Sequence, residues 1–407
     1  MGIASGTRTT PVNPMNTRQL LRHAIQAALA LLLLAPSPSP AQDAPDDSPA
    51  ALYQSGISRF LGGQYEQSLE FLNQLVQVFG REPELRSQID LAMYARACAY
   101  FNLQKYEDAI KAFQEYQTQF PESKFADEAL YRVGVAHQQL ANYNEAVAAF
   151  RSVPSKYPRS SYCEDAMYRV GLCYLLQDAS ALAAAAFQDF MANFPSSSLW
   201  GQAGAYAARA TFDNGDPKGA IELLKKIETR PRSWTVVTYC NFLAFEIGDA
   251  LFDDTEYEAA LLAYRRVKTR RAVLRHLQTA TANLEAELAF LEKRRVTPQT
   301  MSQHFREVQN VSNLLSQNKT MLEKLESMGD YDANLFHRIG RCYFNTDRFW
   351  EARVAFTRVV GMATDETVRE AAHFDLVLAI SRLRRFDDLL VEADQYLSIY
   401  DPQGKWQ

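Results

Sequence analysis

The sequence lacks the short motifs that mark most catalytic and metal sites. It has no phosphate-binding Gly-rich loop, no Gly-x-Ser-x-Gly nucleophile elbow, no His-Glu-x-x-His pair and no Cys-x-x-Cys pair. Each of these motifs places backbone N–H groups, a nucleophile or metal ligands at the spacing that its chemistry requires. Without them, we expect no enzyme activity, no catalytic residue, no metal site and no cofactor.

Positive charge and long apolar runs are also scarce. The chain has 43 Lys and Arg residues against 48 Asp and Glu residues, which gives a net charge of −5. A general nucleic-acid-binding protein needs a net basic face, so nucleic acid is not an expected partner. The apolar run near the N-terminus, from Ala24 to Ala35, has 12 residues. It is too short to span a bilayer, which takes about 20 residues.

This apolar run has the surroundings of a secretory signal peptide. Two arginines and a histidine precede it, and a Pro/Ser-rich stretch that ends at Ala41 follows it. We therefore predict a signal peptide at residues 1–41 and a flexible leader at residues 42–48, so that the mature protein is secreted across the inner membrane and is periplasmic. An uncleaved N-terminal anchor is the alternative, and either Met1 or Met15 can be the start.

A period of 37 residues runs through the middle of the chain. It relates Pro121, Pro158 and Pro195, and also Phe113, Phe150 and Phe187. Self-similarity at a fixed period of 20–50 residues indicates a stacked repeat array. A solenoid of this kind has an extended surface without an enclosed pocket, which favours protein binding over chemistry.

Each period is predicted to form two helices. Leu130, Val133 and Gly134 recur at helical spacing before a short turn, and Phe150 lies on the helix after it. Pro158 ends this second helix, because proline lacks the N–H group and clashes with the preceding turn. We expect Gly134 to let the two helices approach closely and Phe150 to fill the space between neighbouring repeats.

These positions resemble the tetratricopeptide repeat (TPR) family, in which a small residue, a ring after the turn, an aromatic residue and a closing proline recur. Eight repeats can be aligned. Their small or apolar first-helix residues are Gly56, Ala97, Gly134, Gly171, Ala208, Gly248, Gly340 and Val377. The residues that follow the turn are Tyr65, Tyr106, Tyr143, Ser180, Pro217, Tyr257, Phe349 and Phe386. The resemblance implies an all-α, right-handed superhelical solenoid, whose first and last repeats match worst and are expected to cap the array with outer faces in water.

The joint between repeats is longer than in the common TPR, whose period is about 34 residues. The extra residues follow the second helix, as in Phe-Pro-Glu-Ser at 120–123, and lead into ADEALYRVG at 126–134 or CEDAMYRVG at 163–171. This combination is similar to a bacterial envelope group, the outer-membrane-assembly TPR lipoproteins and the periplasmic TPR protein of the Tol-Pal cell-division system. The resemblance implies a scaffold that binds proteins in envelope assembly or cell-division coordination. No cysteine follows the apolar run, so the lipid anchor of the lipoproteins is missing.

One insertion interrupts the array between the sixth and seventh repeats. No Gly or Pro occurs from Tyr257 to Arg295, so the second helix of the sixth repeat is predicted to continue for about 58 Å. Apolar residues step by seven on both sides of Thr297-Pro298: Leu277, Leu284 and Leu291, then Val308, Leu315 and Leu322. This spacing predicts an antiparallel coiled-coil hairpin. The predicted order is repeats 1–6 at residues 49–273, the hairpin at 274–329 and repeats 7–8 at 330–404.

The first arm of this hairpin is basic. Its cations are Arg265, Arg266, Lys268, Arg270, Arg271, Arg275, Lys293, Arg294 and Arg295. Such a stripe is either a solvated helix face or a surface for anionic lipid or an acidic partner. The hairpin itself either packs onto the array or serves as a docking arm or dimer contact. The second alternative makes the protein an oligomerisation or tethering protein that acts through the hairpin.

Aromatic residues recur on one face of the first helices, which in TPR proteins lines the concave groove. Three residues before the small residue the sequence has Tyr94, Tyr131, Tyr168 and Phe245, and four residues after it Phe101, Phe212, Phe252 and Phe344. Arg209 and Arg341 lie among them. We predict that these ten residues bind a peptide or helix of a partner protein in the groove. The alternative, which we favour for the tyrosines, is that the rings only pack one first helix on the next.

The five cysteines are an odd number, and an exported protein can pair cysteines in disulfides. Cys163 and Cys173, on or near one predicted helix, are about 15 Å apart, beyond the reach of a disulfide. The other three fall in different repeats. We expect free, mostly buried thiols that pack as small apolar groups.

Overall fold

The computed structural model describes residues 47–229, 234–296, 301–327 and 329–401, with only the backbone at residues 234, 235, 302 and 303. The predicted signal peptide, most of the predicted leader and the turn at Thr297-Pro298 lie outside the described residues. The chain divides into two compact units, Met1–Leu52 and Tyr53–Gln407. Only residues 47–52 of the first unit are described, and all other described residues belong to the second unit.

The described residues form eighteen α-helices and one 3-10 turn, with no strand among them. The first helices of the repeats are α1 Pro49–Leu61, α3 Arg86–Asn102, α5 Ala126–Gln139, α7 Cys163–Leu176, α9 Trp200–Asp213, α11 Trp234–Asp253, α15 Asp332–Asn345 and α17 Glu366–Arg382. The second helices are α2 Tyr65–Phe79, α4 Tyr106–Gln119, α6 Tyr143–Lys156, α8 Ser180–Asn193, α10 Pro217–Glu228, α12 Tyr257–Tyr264, α16 Phe349–Met362 and α18 Phe386–Tyr400. The insertion consists of α13 Arg270–Lys293 and α14 Met301–Ser327, and the 3-10 turn Pro83–Leu85 precedes α3.

This succession is the all-α TPR-type solenoid that the sequence predicts. From α2 to α12 each helix packs on the next, which places one helix pair beside another along the chain. All eight residues that were predicted to follow a turn are the first residues of second helices. The helices before Pro121, Pro158 and Pro195 end at Gln119, Lys156 and Asn193, two residues before each proline. The periodicity therefore predicted both ends of the repeat correctly.

Small residues on the first helices allow close packing inside each repeat. A Cβ atom at Gly134 would lie 2.6 Å from the ring of Phe150, and one at Gly171 would lie 2.6 Å from the ring of Phe187. Real Cβ atoms do not approach other atoms so closely, so only glycine permits this helix spacing. As expected, Phe150 fills space between neighbouring repeats, because its ring lies against Gly134 of its own repeat and shares an apolar cluster with Ala166 and Val170 of the next one.

The longer joint between repeats is fixed by a serine. In three successive joints, the hydroxyl group of the serine donates a hydrogen bond to a carboxylate near the start of the preceding first helix. The pairs are Ser123 with Asp90 at 2.9 Å, Ser160 with Asp127 at 2.6 Å and Ser197 with Glu164 at 2.6 Å. A constant bond at a constant place sets each new first helix in the same position relative to the last one.

All five cysteines are buried and none of them is in a disulfide, as predicted. Burial raises the pKa of the Cys98 thiol to about 11 and the pKa values of Cys173 and Cys342 to about 12. These thiols are therefore protonated near neutral pH and pack in the apolar interior.

The predicted long helix from Tyr257 to Arg295 is wrong. The second helix of the sixth repeat ends at Tyr264, and a new helix begins at Arg270. Between them, the side chain of the buried Asn241 accepts a hydrogen bond from the Lys268 N–H group and donates one to the Lys268 carbonyl at 3.0 Å. The chain cannot keep these peptide groups in a continuous helix while Asn241 binds both of them.

The insertion forms an antiparallel helix pair. Arg270 near the start of α13 donates to the Leu325 carbonyl near the end of α14, and Arg294 at the other end bonds Glu307. The predicted heptad residues are buried or half-buried. They are Leu277, Leu284, Leu291, Val308, Leu315 and Leu322. The repeat array continues past the insertion, because α12 packs directly on α15.

The outer face of the last repeat lies in water, as expected, but it is apolar. Its second helix, α18, has no buried residue and exposes Phe386, Leu390 and Val391 to solvent. In the part of the chain that the structure describes, no helix has the length and apolar character needed to cross a membrane.

Candidate protein-binding surface

The first-helix rings occupy different environments although they share one register position. Tyr94 is 2% exposed and Tyr168 is 5% exposed. Tyr94 stacks on Phe125 of the following joint, with ring centroids 4.5 Å apart and planes at 8°. Burial raises the pKa values of both phenols well above their usual range. A partner cannot reach these two rings, which agrees with the alternative that they only pack inside the array.

Tyr131 and Phe245, at the same register position, are only half-buried. The Tyr131 hydroxyl donates to Asp165, whose carboxylate also accepts a bond of 2.8 Å from Arg169, and the Arg169 guanidinium lies over the Tyr131 ring. Phe245 carries Arg338 over its ring at 5.1 Å. Each ring is therefore covered on one side by a cation from the next repeat.

The phenylalanines four residues after the small residue are half-buried as well. Phe101, Phe252 and Phe344 each pack edge-on against the ring that follows the turn, at 5.5, 5.2 and 5.4 Å. These contacts close the turn between the two helices. An arginine covers Phe101 and another covers Phe252, namely Arg132 at 5.5 Å and Arg341 at 5.1 Å.

The two predicted arginines make contacts within the array. Arg209 lies over Phe212 at 5.7 Å and forms salt bridges with Asp213 at 2.9 Å and with Glu246 of the next repeat at 2.6 Å. Arg341 is half-exposed and reaches Asp375 only at 4.0 Å. Arg341 is therefore the freer of the two cations toward a partner.

The sequence analysis missed another group of arginines on the first helices. Arg132, Arg169 and Arg338 all stand two residues before the small residue of a first helix. Arg338 bonds both carboxylate oxygens of Asp249, at 2.5 and 3.0 Å, and Asp249 also accepts from the Tyr264 hydroxyl at 2.6 Å. The 37-residue register contained this signal, since YRVG occurs at both 131–134 and 168–171.

Together these contacts form a first-helix ladder, by which we mean Phe101, Tyr131, Phe212, Phe245, Phe252 and Phe344 with the arginines that cover the first five of these rings. The rings give apolar area, and the arginines and carboxylates give fixed charges at repeat spacing. Half-buried rings of this kind can anchor apolar side chains of a bound peptide. Arginine stacked on a ring keeps its N–H groups available at the edges for a carboxylate of that peptide.

The basic stripe of the hairpin has two parts. Arg266 forms a salt bridge with Glu228 at 2.6 Å, and Arg270 donates to the Leu325 and Glu326 carbonyls at the end of α14. These two cations serve the joint between hairpin and array. Arg271 and Arg275 form no salt bridge in the described part of the chain, and they line an open cavity of about 340 Å³ together with Asp330 and Asp332.

The far end of the hairpin exposes large apolar residues. Phe290 on α13 is 68% exposed, and Phe305 on α14 is 60% exposed. Lys293 and Arg295 are exposed close by in the sequence. The described residues contain no group of three His, Cys, Asp or Glu side chains that could hold a metal ion.

Comparisons with known proteins give distant likenesses. No curated protein matches the chain. Among solved structures, a tetratricopeptide repeat protein from Parabacteroides merdae is 12% identical, with 81% of this chain and 98% of that chain covered and a TM-score of 0.38. MamA from Desulfovibrio magneticus RS-1 is 20% identical, with 46% and 96% covered and a TM-score of 0.35. The family described as "T7SS, ESX-1 secretion system protein EccA1, N-terminal domain" matches residues 56–204, which is less than half of the chain.

Proposed function

We propose that this protein is a non-catalytic scaffold that binds a protein partner along the first-helix ladder. The observation that carries the proposal is the ladder itself, with half-buried rings and fixed charges repeated along one series of helices. A repeat array offers an extended surface, and such a surface suits a peptide or helix that lies across several repeats.

We further propose that the scaffold is exported and acts in the bacterial envelope, in envelope assembly or cell-division coordination. The support is the signal-peptide pattern and the resemblance of the long joints to envelope TPR proteins. The match of residues 56–204 to a domain of a secretion-system protein also favours work beside other proteins.

Export is tested by sequencing the N-terminus of the protein purified from its native host. Cleavage after Ala41 predicts a mature chain that starts at Gln42. A chain that still begins at Met1 or Met15 would contradict cleavage, and recovery of that chain in the membrane fraction would favour the uncleaved anchor.

The binding surface is tested with a photo-crosslinking amino acid placed at single positions in cells. We expect protein adducts with the probe at Phe252 or Phe344, because these half-buried positions lie on the ladder. Probes at Val78 and Leu182, which are exposed on the second helices α2 and α8, are the matched controls. Equal adducts at ladder and control positions would contradict the ladder as the binding surface.

A second candidate function has its own support in the exposed Phe290 and Phe305 near basic residues. In this alternative the hairpin is a tether that contacts anionic lipid or a partner protein. Probes at these two positions belong in the same experiment. Adducts only at Phe290 and Phe305 would favour the tether and would argue against the ladder.

A further inference from the structure

The insertion leaves an apolar groove on the seventh repeat. The helix α12 has 8 residues, whereas α6, α8 and α16 each have 14. The missing turns would face α15, and Ile339 on α15 is accordingly only half-buried. The residue one before the small residue is buried in five other repeats, as Val133, Val170, Ala207, Ile247 and Leu376 show.

This insertion groove is lined by apolar side chains of two helices. Phe336, Ile339 and Tyr343 of α15 and Trp350 and Val354 of α16 surround an open cavity of about 490 Å³. Trp350 is 52% exposed and Val354 is 68% exposed. Side chains of this size at such exposure leave room for another apolar surface.

The rim of the insertion groove carries two arginines and one glutamate, Glu351, whose carboxylate is already bound by Arg348 at 2.8 Å. Arg358 lies over the Phe336 ring at 3.7 Å, and Arg265 donates to the Tyr343 hydroxyl at 2.8 Å. Within the described part of the chain, neither arginine forms a salt bridge. The groove therefore fits an apolar helix face that carries carboxylates.

The helix α18 has such a face. Leu390 is 66% exposed, whereas the residues at its register position in five other repeats are buried, namely Ile110, Val147, Ala184, Ile221 and Leu261. Phe386 and Val391 are exposed beside it. Asp387 and Asp394 lie on the same face of α18 as Leu390, three residues before it and four residues after it. They form no salt bridge among the described residues.

We propose that α18 of one copy of this chain docks into the insertion groove of a second copy. Leu390 and Phe386 would pack on Val354 and Trp350, and the two free aspartates would meet the two arginines of the rim. The two surfaces differ, so the contact is head-to-tail and leaves one groove and one α18 free in each pair. A single helix in a groove is a small interface, so the association is weak and depends on concentration.

Sedimentation equilibrium of the full chain tests this proposal at roughly 5 to 200 µM, where small interfaces associate. The average mass of the wild type is expected to rise above that of one chain across this range. Val354→Asp removes the groove and Leu390→Asp removes the α18 face, so each variant alone is expected to keep the mass of one chain. An equimolar mixture of the two is expected to form a complex of two chains and nothing larger, because it contains one working pair of surfaces.

Leu182→Asp, on the exposed side of α8, is the matched control and is expected to associate like the wild type. Circular dichroism checks that all variants fold, which is expected because the substituted side chains are exposed. A wild type that keeps the mass of one chain throughout overturns the proposal. So does a mixture that stays at the mass of one chain, or a Val354→Asp variant that associates like the wild type.

Discussion

Phe150→Ala is expected to lower the free energy of unfolding of the central repeats by about 3–5 kcal/mol. The ring is fully buried in one apolar cluster with Val153, Ala166 and Val170. Its partner on the facing helix is Gly134, which has no side chain to move into the space. Since helices on both sides hold the backbone in place, the cavity closes only in part.

Hydrogen exchange followed by mass spectrometry measures this change, because repeat arrays need not unfold in one step and each repeat contacts only its neighbours. We expect peptides from α5, α6 and α7 to exchange much faster in the variant, while peptides from α16 and α17 keep their rates. Phe290→Ala removes an exposed ring of the same kind and is the matched control. Unchanged protection of α5 and α6 would contradict the packing role of Phe150.

The eight turns and the ends of the second helices before Pro121, Pro158 and Pro195 could be predicted from the sequence because they depend on local patterns. A ring or its substitute after the turn and a proline after the second helix recur at fixed spacing. The small residue was predictable for the same reason, since the two helices of a repeat pack closely and a Cβ atom at Gly171 would lie 2.6 Å from the Phe187 ring. Local rules repeated eight times specify this kind of fold well.

The break after Tyr264 could not be predicted in this way. The segment 257–295 has no residue that ends a helix, so its local pattern favours continuation. The break depends on Asn241, which lies 27 residues before Lys268 in the sequence. A contact at that separation exists only when α11 has packed beside α12, and no spacing rule contains it.

The candidate surface shows the same limit. The register correctly places Tyr94 and Tyr131 at equivalent positions, yet one ring is buried and the other is half-buried. The difference comes from the neighbours. Both rings stack on an aromatic residue of the joint, but Tyr94 also packs on the Tyr116 ring at 5.7 Å, whereas the next repeat has Val153 at that position. The insertion groove could not be predicted from the sequence either, because it depends on the early end of α12.

The position of the hairpin depends on a few polar contacts. Asn241 holds Lys268, and the Tyr331 hydroxyl donates to the Lys268 carbonyl at 2.8 Å. The Asp332 carboxylate accepts from the Arg270 N–H group at 2.6 Å. These bonds join the segments before α13 and after α14, at the base of the hairpin, to the repeats on either side. The array can therefore carry a long insertion while α12 still packs on α15.

Asn241→Leu is accordingly expected to destabilise the base of the hairpin by about 2–3 kcal/mol. Leucine has the same branching and number of side-chain heavy atoms, but it cannot accept a hydrogen bond and leaves the Lys268 N–H group without its acceptor in a partly buried place. The Lys268 carbonyl keeps the bond from Tyr331, so the loss falls mainly on the N–H group. Helix propensity then favours continuation of α12 toward α13, because no Gly or Pro opposes it.

Hydrogen exchange of the peptide that contains Lys268 is the direct measurement. We expect its amides to exchange at least tenfold faster, since about 1.4 kcal/mol corresponds to a factor of ten. Asn144→Leu, at an exposed position on α6, is the matched control and is expected to leave these rates unchanged. If Asn241→Leu also leaves them unchanged, the break after Tyr264 is set by the hairpin helices themselves. In that case the bonds of Asn241 to Lys268 form as a result of the break and do not cause it.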